Sequence, residues 1–171
     1  MTRVLTGLSG GVDSATTAYL LKQQGYDVIG ITMSIWGDKK AVSHKSTHGA
    51  CLGPDEKEDI EAAEKIAKYL DIPYYVIDCS KEYDEIVLNY FKNEYLSGRT
   101  PNPCIRCNSL IKFGVLPLVA RNNGIEFDKF ATGHYARIIE KNGIYYLSRA
   151  KDLSKDQSYF LYKLTQEQLK N

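Results

Sequence analysis

The 171-residue sequence reads as a doubly wound α/β protein, with a mainly parallel sheet, helices on both faces and a β-hairpin near the C-terminus. Three observations carry that expectation. Strand-like and helix-like segments alternate in the order βαβαβα(α)β with short connections. The run Val28-Ile29-Gly30-Ile31-Thr32-Met33 is apolar enough to be covered on both faces, as parallel strands are. Arg137-Ile138-Ile139-Glu140 and Ile144-Tyr145-Tyr146-Leu147 are joined across Asn142-Gly143, the strongest hairpin signal in the chain.

The elements follow in order. Val4 to Leu8 is a short apolar strand ending in Ser9-Gly10-Gly11. Asp13 or Ser14 can cap the next helix, which carries Ala15, Ala18, Tyr19, Leu20 and Leu21 toward a core and stops at Gly25. Residues 36–54 have no period and many turn formers, so they read as a long loop. A helix from about Pro54 to Leu70 opens with a proline and acidic residues and repeats Ile60, Ala63, Ile66, Ala67 and Leu70 at helical spacing. Tyr74 to Ile77 is the third strand and Tyr83 to Leu96 the third helix. Gly98-Arg99-Thr100-Pro101-Asn102-Pro103 interrupts all regular structure, and a helix from about Asn108 to Arg121 follows, with Pro117 as a point of kinking. Phe130 to Gly133 is the fourth strand, and Thr165 to Asn171 looks like a helix just begun, as in a fragment.

Composition narrows the function classes. Hydrophobic residues make up 43% and charged residues 25%, which excludes disorder as the main state. Lys and Arg number 22 against 21 Asp and Glu, so a protein that coats nucleic acid non-specifically is excluded and any RNA contact must be local. No apolar run approaches the ~18 residues of a membrane span, and the N-terminus lacks a signal peptide's apolar core, so a cytoplasmic protein without membrane contact is expected. Four cysteines are too sparse for a disulfide scaffold, and the Cys104/Cys107 spacing points to redox, metal or sulfur chemistry.

The sharpest chemical feature is Ser9-Gly10-Gly11-Val12-Asp13-Ser14, placed between the first strand and the first helix. Such glycines let backbone N–H groups approach phosphate oxygens at a helix N-terminus, and a serine at each end adds hydroxyls. Asp13 would not face phosphate bare, which implies a bridging Mg²⁺. Neither the Walker A nor the dinucleotide spacing is present. The bland alternative is a tightly packed turn that binds nothing.

This loop resembles the pyrophosphate loop of the ATP pyrophosphatases, whose fold is the adenine nucleotide alpha hydrolase-like one and whose members adenylate an oxygen of a substrate so that AMP can be displaced. Four further segments are similar to the tRNA-specific 2-thiouridylases, in the family's order: residues 98–108, Ile111-Lys112-Phe113, residues 131–137 and residues 155–162. The resemblance runs from Val4 to Lys170 and covers the family's N-terminal catalytic half. Members continue into a second catalytic cysteine and a β-rich tRNA-binding region. It implies an ATP-pyrophosphatase domain over 1–150 and the start of a connector over 151–171.

The resemblance also implies roles. Gly7, Leu8, Ser9, Gly10, Gly11, Val12, Asp13 and Ser14 would hold the ATP phosphates, Met33 would meet the adenine, and Gly133 would border the nucleotide. Asn102, Pro103 and Cys104 would contact a flipped-out wobble uridine, and Lys155, Asp156 and Gln157 would touch the tRNA. Cys107 aligns with the cysteine the family uses against the adenylated uridine. Its place before a helix start and near Arg99 and Arg106 would stabilise a thiolate. Cys104 departs from the commoner Asn-Pro-Asp, where a carboxylate could move a proton. The Cys-x-x-Cys variant resembles thiolases that bind an iron–sulfur cluster through three cysteines, with a persulfide relay as the competing picture. Sulfur would come from a donor protein or persulfide carrier. Two rivals stand beside this reading: a pyrophosphatase acting on a small molecule, and an ATP-binding fragment inactive without its C-terminal part.

Other residues admit two readings each. His44, His48 and Cys51 have spacings that could ligate zinc, or are chance occurrences in a long loop. Lys39, Lys40 and Lys45 suit a phosphate contact or a solvated loop equally. Cys79 is most simply a small buried residue. His134 is a general base or orienting group, or a structural histidine bonded to backbone.

Overall fold

The computed structural model describes residues 1–37 and 56–171. Four strands, β1 (Arg3–Gly7), β2 (Asp27–Ser34), β3 (Tyr74–Asp78) and β4 (Lys129–Ala131), form a parallel sheet in the order β3-β2-β1-β4. The chain moves outward from β1 to β3, then crosses to the far side of β1 for β4. The sheet is therefore doubly wound, with its switch point between β1 and β4. The hairpin forms as the Asn142-Gly143 signal requires: β5 (Arg137–Lys141) pairs antiparallel with β6 (Ile144–Ser148), and both turn residues have positive φ.

Alternation along β2 divides the core between the faces. Val28 packs with Leu8 against α1 (Val12–Gln23) and α2 (Glu56–Leu70), through Ala18, Ala63, Ala67 and Leu70. Ile29 and Ile31 face the other way, with Leu5 and Ile77, onto two longer helices. These are α3, residues 80–96, through Tyr83 and Val87, and α4 (Pro103–Asn122), through Cys107, Ile111, Leu116 and Ala120. Helix α4 is long and apolar enough to cross a membrane by length and composition, but here Ile111 and Leu116 are fully packed against the sheet. Burying a side chain of that size stabilises by about 1.5–3 kcal/mol.

Three local expectations are corrected. The first helix is capped by Gly11 rather than Asp13 or Ser14, because the Ser14 hydroxyl turns back to the Gly11 carbonyl at 2.9 Å. Its inner face is set by Ser14, Ala18 and Leu21, so Tyr19 and Leu20 rotate outward and stay about half exposed, at 47% and 49%. Helix α4 begins at Pro103, not near Asn108: the Asn102 side chain accepts from Ile105 N–H, and proline suits the first helical position.

Pro117 does not break α4. The helix widens to π geometry over Cys107–Val115, which makes room for the ring. Proline also leaves the carbonyl four residues back without its donor. Gln168 replaces it, donating through Nε2 to the Phe113 carbonyl at 3.1 Å and to Ser109 at 2.8 Å. Gln168 lies in α5 (Gln166–Lys170), which a capping box on Thr165 opens. The segment 151–171 is thus fastened to α4, and also to β4, where Phe130 N–H donates to the Asn171 carbonyl.

Candidate functional site

A cavity of about 270 Å³ opens at the C-terminal ends of β1 and β2, beside the switch point with β4. Its walls include Gly7, Leu8, Ser9, Asp13 and Ser14 from the β1–α1 loop, Met33 from β2, and Gly133 from the turn after β4. Gly10, Gly11 and Val12 complete the loop outside that wall.

The loop's geometry depends on two glycines. Gly10 has φ +77°, and a Cβ there would meet the Asp59 carbonyl at 2.8 Å, so the loop is pressed onto α2. A Cβ on Gly133 would lie 2.9 Å from both the Asp13 carbonyl carbon and the Ser14 nitrogen, so the turn after β4 rests on the first turn of α1. Ser9 N–H donates to Ser14 Oγ at 3.2 Å, and the two hydroxyls are also 3.2 Å apart. No side chain caps α1. The result is a twelve-residue helix whose N-terminal donors point toward a cavity, an arrangement suited to anionic oxygens.

Further wall residues come from α2, α4 and the turns that follow β2 and β4. Lys112 projects from α4 as a cationic group, and Thr132, His134 and Gln157 also line the cavity. Glu56 joins α2 to the end of β2: its carboxylate accepts from Ile35 N–H at 2.5 Å, from Trp36 N–H at 3.3 Å and from the Ser34 hydroxyl at 2.9 Å. It fixes the backbone just beyond Met33. Trp36 Nε1 is buried without a hydrogen-bond partner among the described residues. Of these, His134 and Gln157 were candidate site residues from sequence, Lys112 and Thr132 lie within the family-like segments 111–113 and 131–137, and Glu56 and Trp36 were given no role.

His134 is half-buried, with Nδ1 2.8 Å from the Thr132 hydroxyl. Burial, reinforced by Lys112, pulls its pKa down to about 4. The ring is therefore neutral near pH 7 and can donate from one nitrogen and accept at the other. The sign of the linkage follows. The unfolded chain, with an ordinary histidine near 6.5, binds more protons between pH 6.5 and 4, so this contribution is full above 6.5 and is lost as pH falls through that window. At most about 3 kcal/mol is at stake. We expect melting temperature to fall on acidification across that window, and more shallowly in His134→Gln; superimposable melting profiles would remove the assignment.

The cysteines occupy three environments. Cys104 is exposed in the first turn of α4, Cys107 is buried one turn on, and Cys79 is fully buried after β3. Burial pushes the Cys79 thiol up to about 12, aided by Glu82, Asp78 and Cys107, as a structural cysteine requires. Cys107 lies in the second turn of α4 rather than before a helix start. Arg99 is engaged by Glu94 through two bonds of 2.7 and 2.8 Å, and Arg106 donates to the Ile86 carbonyl and stacks on Tyr90. Both guanidinium groups thus have partners of their own.

Asn102 spends its side-chain oxygen capping α4, and Pro103 is the first helical residue, which leaves Cys104 as the exposed member of that trio. In the second trio, the Asp156 carboxylate is turned inward. It accepts from Ala150 N–H, Ser158 N–H and the Ser158 hydroxyl at 3.0 to 3.2 Å, and from Arg149 at 3.4 Å. Those bonds hold its pKa below the ordinary carboxylate value, the Ala150 amide contributing most. Lys155 is exposed, and Gln157 reaches the cavity. His44, His48, Cys51, Lys39, Lys40 and Lys45 lie outside the described residues.

Comparison with known proteins adds the following. The family described as tRNA methyl transferase HUP domain matches residues 2–171. The chain is 58% identical over 169 residues to the tRNA-specific 2-thiouridylase MnmA of Endomicrobium trichonymphae, covering 98% of this chain and 47% of that protein. It is 48% identical to the protein of the same name from Clostridium perfringens strain 13, covering 99% of this chain and 45% of that one. The chain thus spans about half the length of the curated relatives it matches. Among solved structures, a predicted subunit of tRNA methyltransferase from Methanocaldococcus jannaschii aligns at 22% identity and a TM-score of 0.45, over 78% of this chain and 53% of that one.

Proposed function

This chain belongs to the tRNA methyl transferase HUP domain family, and from that membership we propose that it is the ATP-cleaving, uridine-activating part of a tRNA 2-thiouridylase. One observation carries the proposal: an uncapped helix N-terminus, pressed between Gly10 and Gly133, opens on a cavity that also holds a carboxylate and a lysine.

The residues present fit ATP. The loop from Gly7 to Ser14 offers backbone donors and two hydroxyls to phosphate oxygens, Lys112 offsets their charge, and the wall at Met33 takes the adenine. They also fit Mg²⁺, which commonly takes one or two carboxylates and completes its shell with phosphate and water. Asp13 is the carboxylate at the loop, and Mg²⁺ held there would offset charge on the pyrophosphate leaving group.

In the proposed reaction the 2-carbonyl oxygen of a wobble uridine attacks the α-phosphorus, and the bond to the β-phosphate breaks with release of pyrophosphate. The outer sulfur of a persulfide on Cys107 then attacks C2, and AMP departs with the original oxygen. A second thiol, that of Cys104 or of the donor protein, attacks the Cys107 sulfur, breaks the sulfur–sulfur bond and leaves 2-thiouridine and a disulfide. The base must leave the RNA stack to reach this cavity. Asn102, Pro103 and Cys104 lie outside the cavity wall, and we assign exposed Cys104 to contact with the base and Lys155 and Gln157 to contact with the RNA. Asp156 serves by shaping that turn.

Cys107 is the residue we assign to sulfur delivery, received from a donor protein or persulfide carrier. Cys104 and Cys107 supply two thiols on one helix, and no group of three ligating side chains occurs among the described residues. These residues do not complete an iron–sulfur site by themselves, and no step is derived through a cluster.

Asp13→Ala and Ser9→Ala test the site. Both are expected to lower pyrophosphate release at least about a hundredfold, in the range lost with a single transition-state contact. Melting temperatures should stay near wild type, because Asp13 and Ser9 are not core residues. Undiminished release in both variants would refute the loop assignment.

A further inference from the structure

The phosphate loop and the turn ending in Gln157 are joined by a side chain of the 131–137 segment to which the sequence assigned no role. Tyr135 donates its hydroxyl to Asp13 Oδ1 at 2.8 Å. Its backbone is gripped from both directions by Gln157. Tyr135 N–H donates to Gln157 Oε1 at 2.9 Å, and Gln157 N–H donates to the Tyr135 carbonyl at 2.8 Å. The turn that carries Tyr135 has little freedom of its own, because Gly133 lies directly on the backbone of Asp13 and Ser14. Gln157 is anchored in turn: Phe160 N–H donates to its carbonyl, and the Phe160 carbonyl accepts from buried Asn108 on α4.

An aspartate in the exposed first turn of a helix can rotate among several orientations. A fixed donor on one oxygen selects an orientation and presents the other oxygen to whatever occupies the cavity. Among the described residues, Oδ2 of Asp13 takes no hydrogen bond, so the geometry spends one carboxylate oxygen on Tyr135 and leaves one for a ligand.

We propose that Tyr135 is a positioning residue for the phosphate loop: it orients Asp13 toward the divalent cation that accompanies the nucleotide, and Gln157 holds Tyr135 in place. The inference rests on the Mg-ATP reading of the cavity and deepens it by naming the side chains that set the aspartate's direction.

The test is binding of a fluorescent ATP analogue to the 171-residue chain across a Mg²⁺ titration, with Tyr135→Phe, Gln157→Ala and the double variant. Releasing one side chain from a fixed orientation is expected to raise the half-saturating Mg²⁺ concentration about fivefold in Tyr135→Phe. Affinity at saturating Mg²⁺ and melting temperature should stay close to wild type in that variant, a split that general loss of structure would not produce. Gln157→Ala should show a similar Mg²⁺ shift, and the double variant no more than either alone, because the two residues act in series. An unchanged Mg²⁺ requirement in Tyr135→Phe overturns the inference while leaving the nucleotide site intact. Additive shifts in the double variant overturn the role given to Gln157. Failure of the wild-type chain to bind Mg-ATP overturns instead the reading on which the inference rests.

Discussion

Gly133→Ala is expected to lower Mg-ATP affinity by about a hundredfold or more. The added Cβ would sit 2.9 Å from the Asp13 carbonyl carbon and the Ser14 nitrogen and 3.0 Å from the Asp13 oxygen. All three are backbone atoms of the first turn of α1, so no side chain can swing aside. Overpacking of this kind costs about 1–3 kcal/mol in stability. For a domain of this size the melting temperature should drop by roughly 2–10 °C. The larger loss falls on binding, because the displaced atoms are the N-terminal donors of α1, and hydrogen bonding to phosphate depends on tenths of an ångström. Equilibrium binding and a melting curve on the same sample check both parts. Wild-type affinity in Gly133→Ala would mean that the nucleotide does not sit on this turn.

The second large effect is expected at Cys107. Cys107→Ser should bind Mg-ATP as wild type does and yet yield no thiouridine in tRNA, since a hydroxyl cannot carry sulfur to C2. Cys107 is 8% exposed in the core cluster, so a hydroxyl there loses roughly 1–3 kcal/mol of stability and the protein remains folded. Cys104→Ala separates the two ways of delivering sulfur. Retained thiolation would fit transfer through Cys107 alone, and complete loss would mean that the thiols act as a pair. Nucleoside analysis of reacted tRNA measures both variants. Thiouridine in the Cys107→Ser product would move the sulfur-bearing role to another residue.

Much of the fold could be read before the structure because its signals are local. The apolar stretch from Val28 to Met33 needs no partner to declare itself a covered strand, and Asn142-Gly143 specifies its own turn. Ser9 to Ser14 marked a tight strand-to-helix turn through glycines whose freedom the structure uses at Gly10. The errors also have physical causes. Two prolines and a glycine before Cys104 read as a break, although Asn102-Pro103 is a cap followed by a first-turn proline and so starts α4. Tyr19 and Leu20 counted as core residues because they are apolar, yet adjacent positions on a helix point about 100° apart and Ala18 had taken the inner face.

The parts of the site that could not be read depend on distance in space. Nothing local ties Glu56 to the end of β2, Gln168 to the carbonyl left open by Pro117, or Tyr135 to Asp13. Each is a hydrogen bond between segments that meet only after the sheet and its helices have assembled. Lys112 lies within the Ile111-Lys112-Phe113 segment, but its place on the cavity wall shows only once α4 is packed beside the sheet.

The most direct test of the central claim is the identity of the products from ATP labelled at the α-phosphate, incubated anaerobically with Mg²⁺ and with or without unmodified tRNA bearing a wobble uridine. The account predicts AMP and pyrophosphate, formed faster with the tRNA. Formation of ADP and phosphate, or of AMP and pyrophosphate at a rate indifferent to tRNA and raised by a small molecule, would contradict it.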